Sequence, residues 1–220
     1  MDLNKIYDFF KPESVRDSIH IIGCGSVGSA LAENLVRCGI KKLTLWDADI
    51  VVPHNVTNQM YREKDVGKLK TDALEELLTE INSEVEIIKH GAWDGDLVSG
   101  YVFMCVDNIE TRKAIVHRIY RSRFVKAVFD FRTLLTSAQH YAADWSDTKH
   151  KETLVDSMCF THEEAAESTP VSACGITLGV APTVRTIVAL GVCNFLNFVK
   201  GDGLKKFIQI ENFAFILDAF

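Results

Sequence analysis

The chain has 220 residues, 47% of them hydrophobic, enough for one packed core, and its net charge of −6 argues against a nucleic-acid surface, which needs a concentrated basic patch. No run of about 18 apolar residues predicts a membrane span. The opening Met1–Lys11 carries Asp2, Lys5 and Asp8 without a small-residue cleavage site, and the six cysteines form no CxxC pair, so a cytoplasmic protein with free thiols and no signal peptide is expected.

In chain order, residues 1–18 are a polar lead-in in which Tyr7, Phe9 and Phe10 suit a short helix ended by Pro12. Ile19-His20-Ile21-Ile22 reads as a short inner strand, because Ile21 and Ile22 leave no polar face. Gly23, Gly25 and Gly28 follow in the pattern GxGxxG, which serves a tight turn, the approach of a phosphate to the backbone and close helix–strand packing. The spacing of Val27, Ala30, Leu31, Leu35 and Cys38 predicts a helix capped by Ser26 and stopped at Gly39. Its free N–H groups and dipole favour an anion at the glycine turn. Lys42–Trp46 is the second strand. Asp47 stands at its tip, about twenty residues past the glycines, where nucleotide-binding folds of this type use an acid for ribose hydroxyls; a turn-forming aspartate is the plain alternative.

Residues 48–67 are an amide-rich insertion suited to wrapping over a bound nucleotide. A helix then starts near Lys68 with Leu69, Ala73, Leu74, Leu77, Leu78 and Ile81 as its buried stripe. Lys70, in its first turn, opposes the helix dipole and hints at a nearby anion, an ordinary exposed lysine being the plain alternative. Val85–Lys89 is the third strand and Tyr101–Val106 a buried fourth. The fourth ends in Asp107-Asn108, at the carboxyl edge where open α/β sheets bind ligands, and an aspartate there can hold Mg²⁺. A helix over 109–123 and a fifth strand over 124–131 follow. Arg112, Lys113, Arg118, Arg121 and Arg123 read as a solvated helix face. Ala138–Trp145 suits an antiparallel strand, 146–170 reads as a mobile polar crossover, 180–199 as a long apolar helix with Pro182 in its first turn, and 206–210 and 213–217 as a terminal pair of strands. The expected fold is an α/β, Rossmann-like, mostly parallel sheet with helices on both faces and antiparallel strands in the C-terminal part. It forms one unit: a lead-in (1–18), a core (19–131) and a C-terminal part (132–220).

The segments GCGSVGSALAENLVRCGI, LTLWDADIVVPHNVTNQ, VGKLK and CVDN, with a cysteine upstream of GVAPTV, make residues 15–200 resemble the ThiF/MoeB/HesA family, bacterial relatives of the ubiquitin-activating enzymes. The resemblance implies ATP and Mg²⁺, and adenylation of the C-terminal carboxylate of a ubiquitin-like or sulfur-carrier protein. It implies a homodimer, while the acidic charge and the lack of a long apolar run argue against a nucleic-acid or membrane partner. Under it Gly23, Gly25, Gly28, Asp47, Asn55, Asn58, Gln59, Lys70, Asp107 and Asn108 line the nucleotide, with Asp47 on the ribose and Asn55, Gln59 and Lys70 on phosphates. Asp107 carries Mg²⁺ and is the residue on which catalysis depends most. Asp49 shapes the loop or joins the metal.

Departures from the family pattern are specific. Asn58 stands where the family has an arginine. The N-terminal arginine finger has no clear counterpart, Arg16 and Arg62 being candidates by position alone. The zinc-binding CxxC pairs are absent, so no structural zinc is expected. Arg132 either supplies catalytic charge or pairs with Asp130. Cys174 is either the thiol that links covalently to the carrier or a small buried residue. Two other classes stay open at this point: a non-catalytic nucleotide-binding scaffold, and an NAD-dependent oxidoreductase, which shares the glycines and Asp47 but leaves the amide loop and Lys70 unexplained.

Overall fold

In the computed structural model, which describes every residue except Ser168 and Cys174, eight strands form one sheet. They are β1 (Ile19–Ile22), β2 (Lys42–Trp46), β3 (Glu86–His90), β4 (Gly100–Met104), β5 (Val125–Thr133), β6 (Ser137–Asp144), β7 (Phe207–Glu211) and β8 (Ile216–Ala219). Their spatial order is β3-β2-β1-β4-β5-β6-β7-β8. Pairs from β3 to β5 are parallel and those from β5 to β8 antiparallel. The sense changes where crossover helices give way to a hairpin, closed by the Leu134 N–H on the Ser137 carbonyl at 2.9 Å. A short hairpin joins only antiparallel neighbours.

The helices are α1 (Ser26–Arg37), α2 (Lys70–Ile81), α3 (Ile109–Ile119), α4 (Thr148–Asp156), α5 (His162–Glu167) and α6 (Ala181–Lys200). Because successive strand residues point to opposite faces, the sheet sorts its apolar residues into two cores. Ile21, Leu45, Phe103 and Phe129 pack with α1, α2 and α6 on one side. Ile22, Trp46, Met104 and Val128 pack with α3 and α4 on the other. Gly191 lets α6 lie close to β5, since a Cβ there would sit 2.3 Å from the Phe131 ring. The α/β architecture with a parallel core and antiparallel C-terminal strands is therefore as expected, and strand and helix limits shift by a few residues.

Several expectations are corrected. Helix α1 is capped by Gly25, and Ser26 is its first residue. In the lead-in Phe10 is buried while Tyr7 and Phe9 are exposed, and only isolated turns precede a 3-10 turn at Pro12–Ser14. Much of segment 146–170 is helical. The Asp147 carboxylate accepts from the Lys149 and His150 N–H groups to start α4, and Leu154 and Met158 anchor this stretch in the second core. Arg112 belongs to no solvated face: it is buried and ion-paired to Asp130. Helix α6 has the length and apolar composition to cross a membrane, yet half of it is buried in this fold, with Val184, Ile187, Val188 and Phe195 in the core.

Two buried histidines make the fold pH-sensitive. His140 lies against Phe131, its Nδ1–H pointing at the Asp130 carbonyl (3.2 Å) and its Nε2 receiving the Asn194 amide (3.2 Å), a tautomer assigned from these partners. Burial lowers its pKa to about 4, and burial with neighbouring His90 lowers that of His20 to about 4. The unfolded chain takes up these protons near pH 6.5 and the folded chain does not, so stability falls as the pH drops from about 6.5 towards 4. Urea denaturation at pH 7 and pH 5 is expected to show a loss of about 2 kcal/mol from His140 alone, with His20 acting in the same direction.

Candidate functional site

The carboxyl ends of β2, β1 and β4 lie side by side, and each delivers one part of the site. At β1 the three glycines do different work. Gly23 takes φ +94°, and a Cβ there would stand 2.7 Å from the Cys105 carbonyl oxygen at the end of β4. Gly28 runs past the turn so closely that a Cβ would fall 1.9 Å from the Gly23 carbonyl oxygen. A Cβ on Gly25 would meet nothing within 4 Å. The outer two are thus demanded by the fold, while the middle one leaves open space over the first turn of α1, whose leading N–H groups have no partner within the helix. The expected consequence is a contrast. Gly28→Ala costs about 2–3 kcal/mol of stability through overpacking, whereas Gly25→Ala melts like the native chain and weakens only anion binding. Thermal melts alongside a nucleotide titration check both.

At β2, Asp47 braces this turn. Its carboxylate accepts from the Cys24 N–H (2.7 Å) and the Asp49 N–H (2.8 Å). A carboxylate has about four acceptor sites, so these two bonds leave capacity for hydroxyl groups. Asp49 in turn accepts from the buried Lys70 Nζ at 2.7 Å, and the Lys70 backbone N–H reaches the Asp49 carbonyl at 2.9 Å. The lysine at the first residue of α2 is therefore fixed by loop 47–49, and Asp49 acts as its holder. The insertion is tied down over the turn: the Tyr61 hydroxyl donates to the Cys24 carbonyl at 2.6 Å, and the Met60 N–H donates to Ser29 Oγ on α1 at 3.1 Å. Burial, first of all, pushes the Cys24 thiol well up, so it stays protonated and packs as a small apolar group.

The amides divide their labour. Asn55 Oδ1 accepts from the Val52 N–H at 3.0 Å within a 3-10 turn at Pro53–Thr57, and its Nδ2 has no partner among the described residues. Gln59 Oε1 is buried with no partner among the described residues. Asn58 lies against the approach to α6, where a Cβ on Gly179 would stand 2.9 Å from its Nδ2. At β4, Asn108 is spent on capping α3, its Oδ1 accepting from the Glu110 (2.8 Å) and Thr111 (3.2 Å) N–H groups. Asp107 beside it is exposed, and among the described residues its carboxylate has no partner.

Of the two readings of Arg132, the structure favours the pair with Asp130. Its Nε donates to Asp130 Oδ2 at 2.8 Å, and its Nη groups donate to the Ser157 carbonyl (2.7 Å) and Oγ (2.8 Å). Arg62 is likewise committed, to Asp65 at 2.8 Å and Glu80 at 2.6 Å. Arg16 precedes β1 and so stands at the opposite edge of the sheet. Cys174 lies outside the described residues. One cation that sequence reading missed is Arg185 on the second turn of α6. Its Nε is buried without a partner among the described residues, and α6 begins at the site's edge of the sheet, where Thr183 Oγ1 donates to the Leu135 carbonyl at 3.0 Å. As a lone cation on an apolar helix, it gives no periodic signal of its own. Tyr61, the aromatic residue in a polar insertion, is a contact that composition signals.

These strand ends define a doubly wound α/β protein whose glycine turn, acids and lysine converge on one edge of the sheet. The chain belongs to the ThiF family, whose profile matches residues 13–219. Over 123 residues it is 38% identical to ubiquitin-like modifier-activating enzyme 5 of Dictyostelium discoideum, an alignment covering 47% of this chain and 32% of that protein. The chain thus spans about a third of the length of the curated relatives it matches. Among solved structures it is similar in fold to E. coli MccB with ATP (TM-score 0.70, 19% identity, covering 95% of this chain and 65% of that one). It is similar also to PaaA (TM-score 0.74, 17% identity, covering 100% and 68%).

Proposed function

We propose that the chain is an ATP-dependent adenylyltransferase that activates the C-terminal carboxylate of a ubiquitin-like or sulfur-carrier protein, or of a peptide. The observation that carries this reading is the convergence of an open glycine turn, a buried lysine held by Asp49 and an exposed Asp107, unpartnered among the described residues, on neighbouring strand ends. Family membership and the relatives' role as modifier-activating enzymes support it.

In the reaction a carboxylate oxygen attacks the α-phosphorus, the bond from that phosphorus to the pyrophosphate oxygen breaks, and its electron pair leaves with pyrophosphate. The chain's task is alignment and neutralisation of the departing charge. Asp47 uses its spare acceptor sites on ribose hydroxyls. The open N–H groups of α1 face a phosphate across Gly25. Lys70 and the amide nitrogens of Asn55, Asn58 and Gln59 donate to phosphate oxygens. The orphaned Gln59 oxygen, which no phosphate can satisfy, asks for a donor on the nucleoside or a water. Asp107 holds Mg²⁺, which supplies charge neutralisation to the triphosphate when bound. Arg185 offers the cation that Asn58 does not. The protein works as a cytoplasmic homodimer in this reading, and Cys174 is its candidate thiol acceptor.

A second reading, a nucleotide-binding scaffold without catalysis, draws on the commitment of Arg62 and Arg132 to internal carboxylates. The test is calorimetric titration with ATP and with NADH, followed by ATP–pyrophosphate exchange with a ubiquitin-like protein ending in Gly-Gly. Binding of ATP alone with carrier-dependent exchange supports the proposal. ATP binding with no exchange favours the scaffold, and preference for NADH overturns both.

A further inference from the structure

The arginines at the end of α3 take no part in the site above. Between α3 and the end of α4 runs a groove of about 940 Å³. Its exposed apolar surface comes from Val155, lying over the buried Val116 and Met158, and its charged rim from Lys113, Arg118 and Arg121, with no carboxylate among the lining residues. Lys113 already pairs with Glu110 at 3.0 Å and donates to the Phe160 carbonyl at 2.7 Å. At Arg121 the groove meets a second cavity of about 560 Å³, which adds Arg123, Lys126 and Lys151. The acid of that cavity is Asp144, and its Oδ1 is already occupied by the Ser146 N–H (2.9 Å) and Oγ (2.7 Å). Lys151 is held over the Tyr120 and Trp145 rings, and Arg118 Nε reaches the Gly95 carbonyl at 2.8 Å. Among the described residues the side chains of Arg121, Arg123 and Lys126 have no ion pair or hydrogen bond.

We propose that the α3–α4 groove binds an acidic, amphipathic peptide segment of a partner protein, its apolar side chains resting on Val155 beside Tyr120 and its carboxylates meeting Arg118 and Arg121. The charge argument is strong because the chain as a whole carries −6. Lys113 has its acid in Glu110, but among the described residues Arg118, Arg121, Arg123 and Lys126 pair with no carboxylate, so they form a cationic island on an acidic protein, and complementary charge is what steers and selects a partner. The same surroundings disfavour a nucleic acid, which extends beyond the island by more than the Debye length of about 10 Å and meets net negative charge there. The groove's larger ring, Tyr120, is packed edge-on against Trp145 with Lys151 over its face, so it offers bases no open stacking platform. Helix-in-groove docking, with apolar anchors on one face and charge on the flanks, is the mode that fits. The site is independent of the nucleotide edge and stands whether or not that edge is catalytic.

The experiment is fluorescence anisotropy with a labelled peptide of Glu and Leu at helical spacing, compared with the same peptide carrying Gln for Glu. Saturable binding at about 10–100 μM is expected for the acidic peptide, at least about tenfold weaker for the Gln peptide. Arg121→Glu and Val155→Asp, both at exposed positions, are each expected to weaken binding about tenfold with unchanged melting temperature. Arg121→Gln stands in for Arg121→Glu if the charge reversal melts early. Equal binding of the two peptides, indifference to both variants, or no saturation by about 1 mM overturns the proposal. So does tighter binding of an oligothymidylate that ignores Val155→Asp, which would make the patch a nucleic-acid surface.

Discussion

Replacing Asp107 with alanine is expected to lower ATP–pyrophosphate exchange by about 10²–10³-fold or more, while thermal stability stays within about 0.5 kcal/mol of the native chain. The two halves of this expectation rest on different observations. Asp107 is exposed and unpartnered among the described residues, so its removal breaks nothing that holds the fold. Its backbone position is nonetheless fixed on both sides. Val106 before it is gripped by Arg112, and Asn108 after it is locked by capping α3. A carboxylate held this rigidly yet left free suits a ligand rather than packing. Radiolabelled pyrophosphate exchange and a thermal melt on the same preparation separate the two effects. Exchange that survives the substitution removes Asp107 from the mechanism.

The second large effect is structural. Asp130 on β5 is fully buried and pairs with two guanidiniums, those of Arg112 and Arg132, the latter Nε at 2.8 Å. Asp130→Ala leaves two cations facing an apolar interior without their acid, and breaking a buried pair from one side costs about 3–5 kcal/mol. Urea denaturation at neutral pH is the measurement. Asp130→Asn keeps the shape and one acceptor and is expected to cost less. Because Arg112 also donates to the Val106 carbonyl, the Asn variant is further expected to reduce exchange more than its loss of stability explains, through the loosened placement of Asp107. A variant that unfolds earlier but exchanges normally when folded would show that Arg112 alone suffices to hold Val106.

What the sequence made legible follows from periodicity and position. Ile21 and Ile22, the glycines and the stripe Val27, Ala30, Leu31 and Leu35 announced a strand, a turn and a helix, and they are the elements that locate the site. Lys70 was conspicuous because a cation at a helix start needs a reason, and the Asp49 carboxylate is that reason in the fold. Asp47 was correctly placed at the tip of β2, but its backbone bonds to Cys24 and Asp49 could not be read from spacing. Helix α4 escaped because its buried positions are few, Leu154 and then Met158 beyond its end, so no apolar stripe emerged; the cap at Asp147 was the available signal. Arg112 escaped because an arginine in a basic helical run looks solvated, and only its partner on β5, distant in sequence, turns it inward. The same blindness hid Arg185, a cation on an otherwise apolar helix.

Strand β5 carries a parallel ladder to β4 on one side and an antiparallel ladder to β6 on the other. It is therefore the seam between the glycine-turn half and the C-terminal half. Neither half can peel away without unzipping one of those ladders and exposing the aromatic cluster of Phe103, Phe129 and Phe195. The two halves are consequently expected to melt as one cooperative unit, so that damage to the terminal strands lowers the melting temperature of the edge where the acids and the lysine stand.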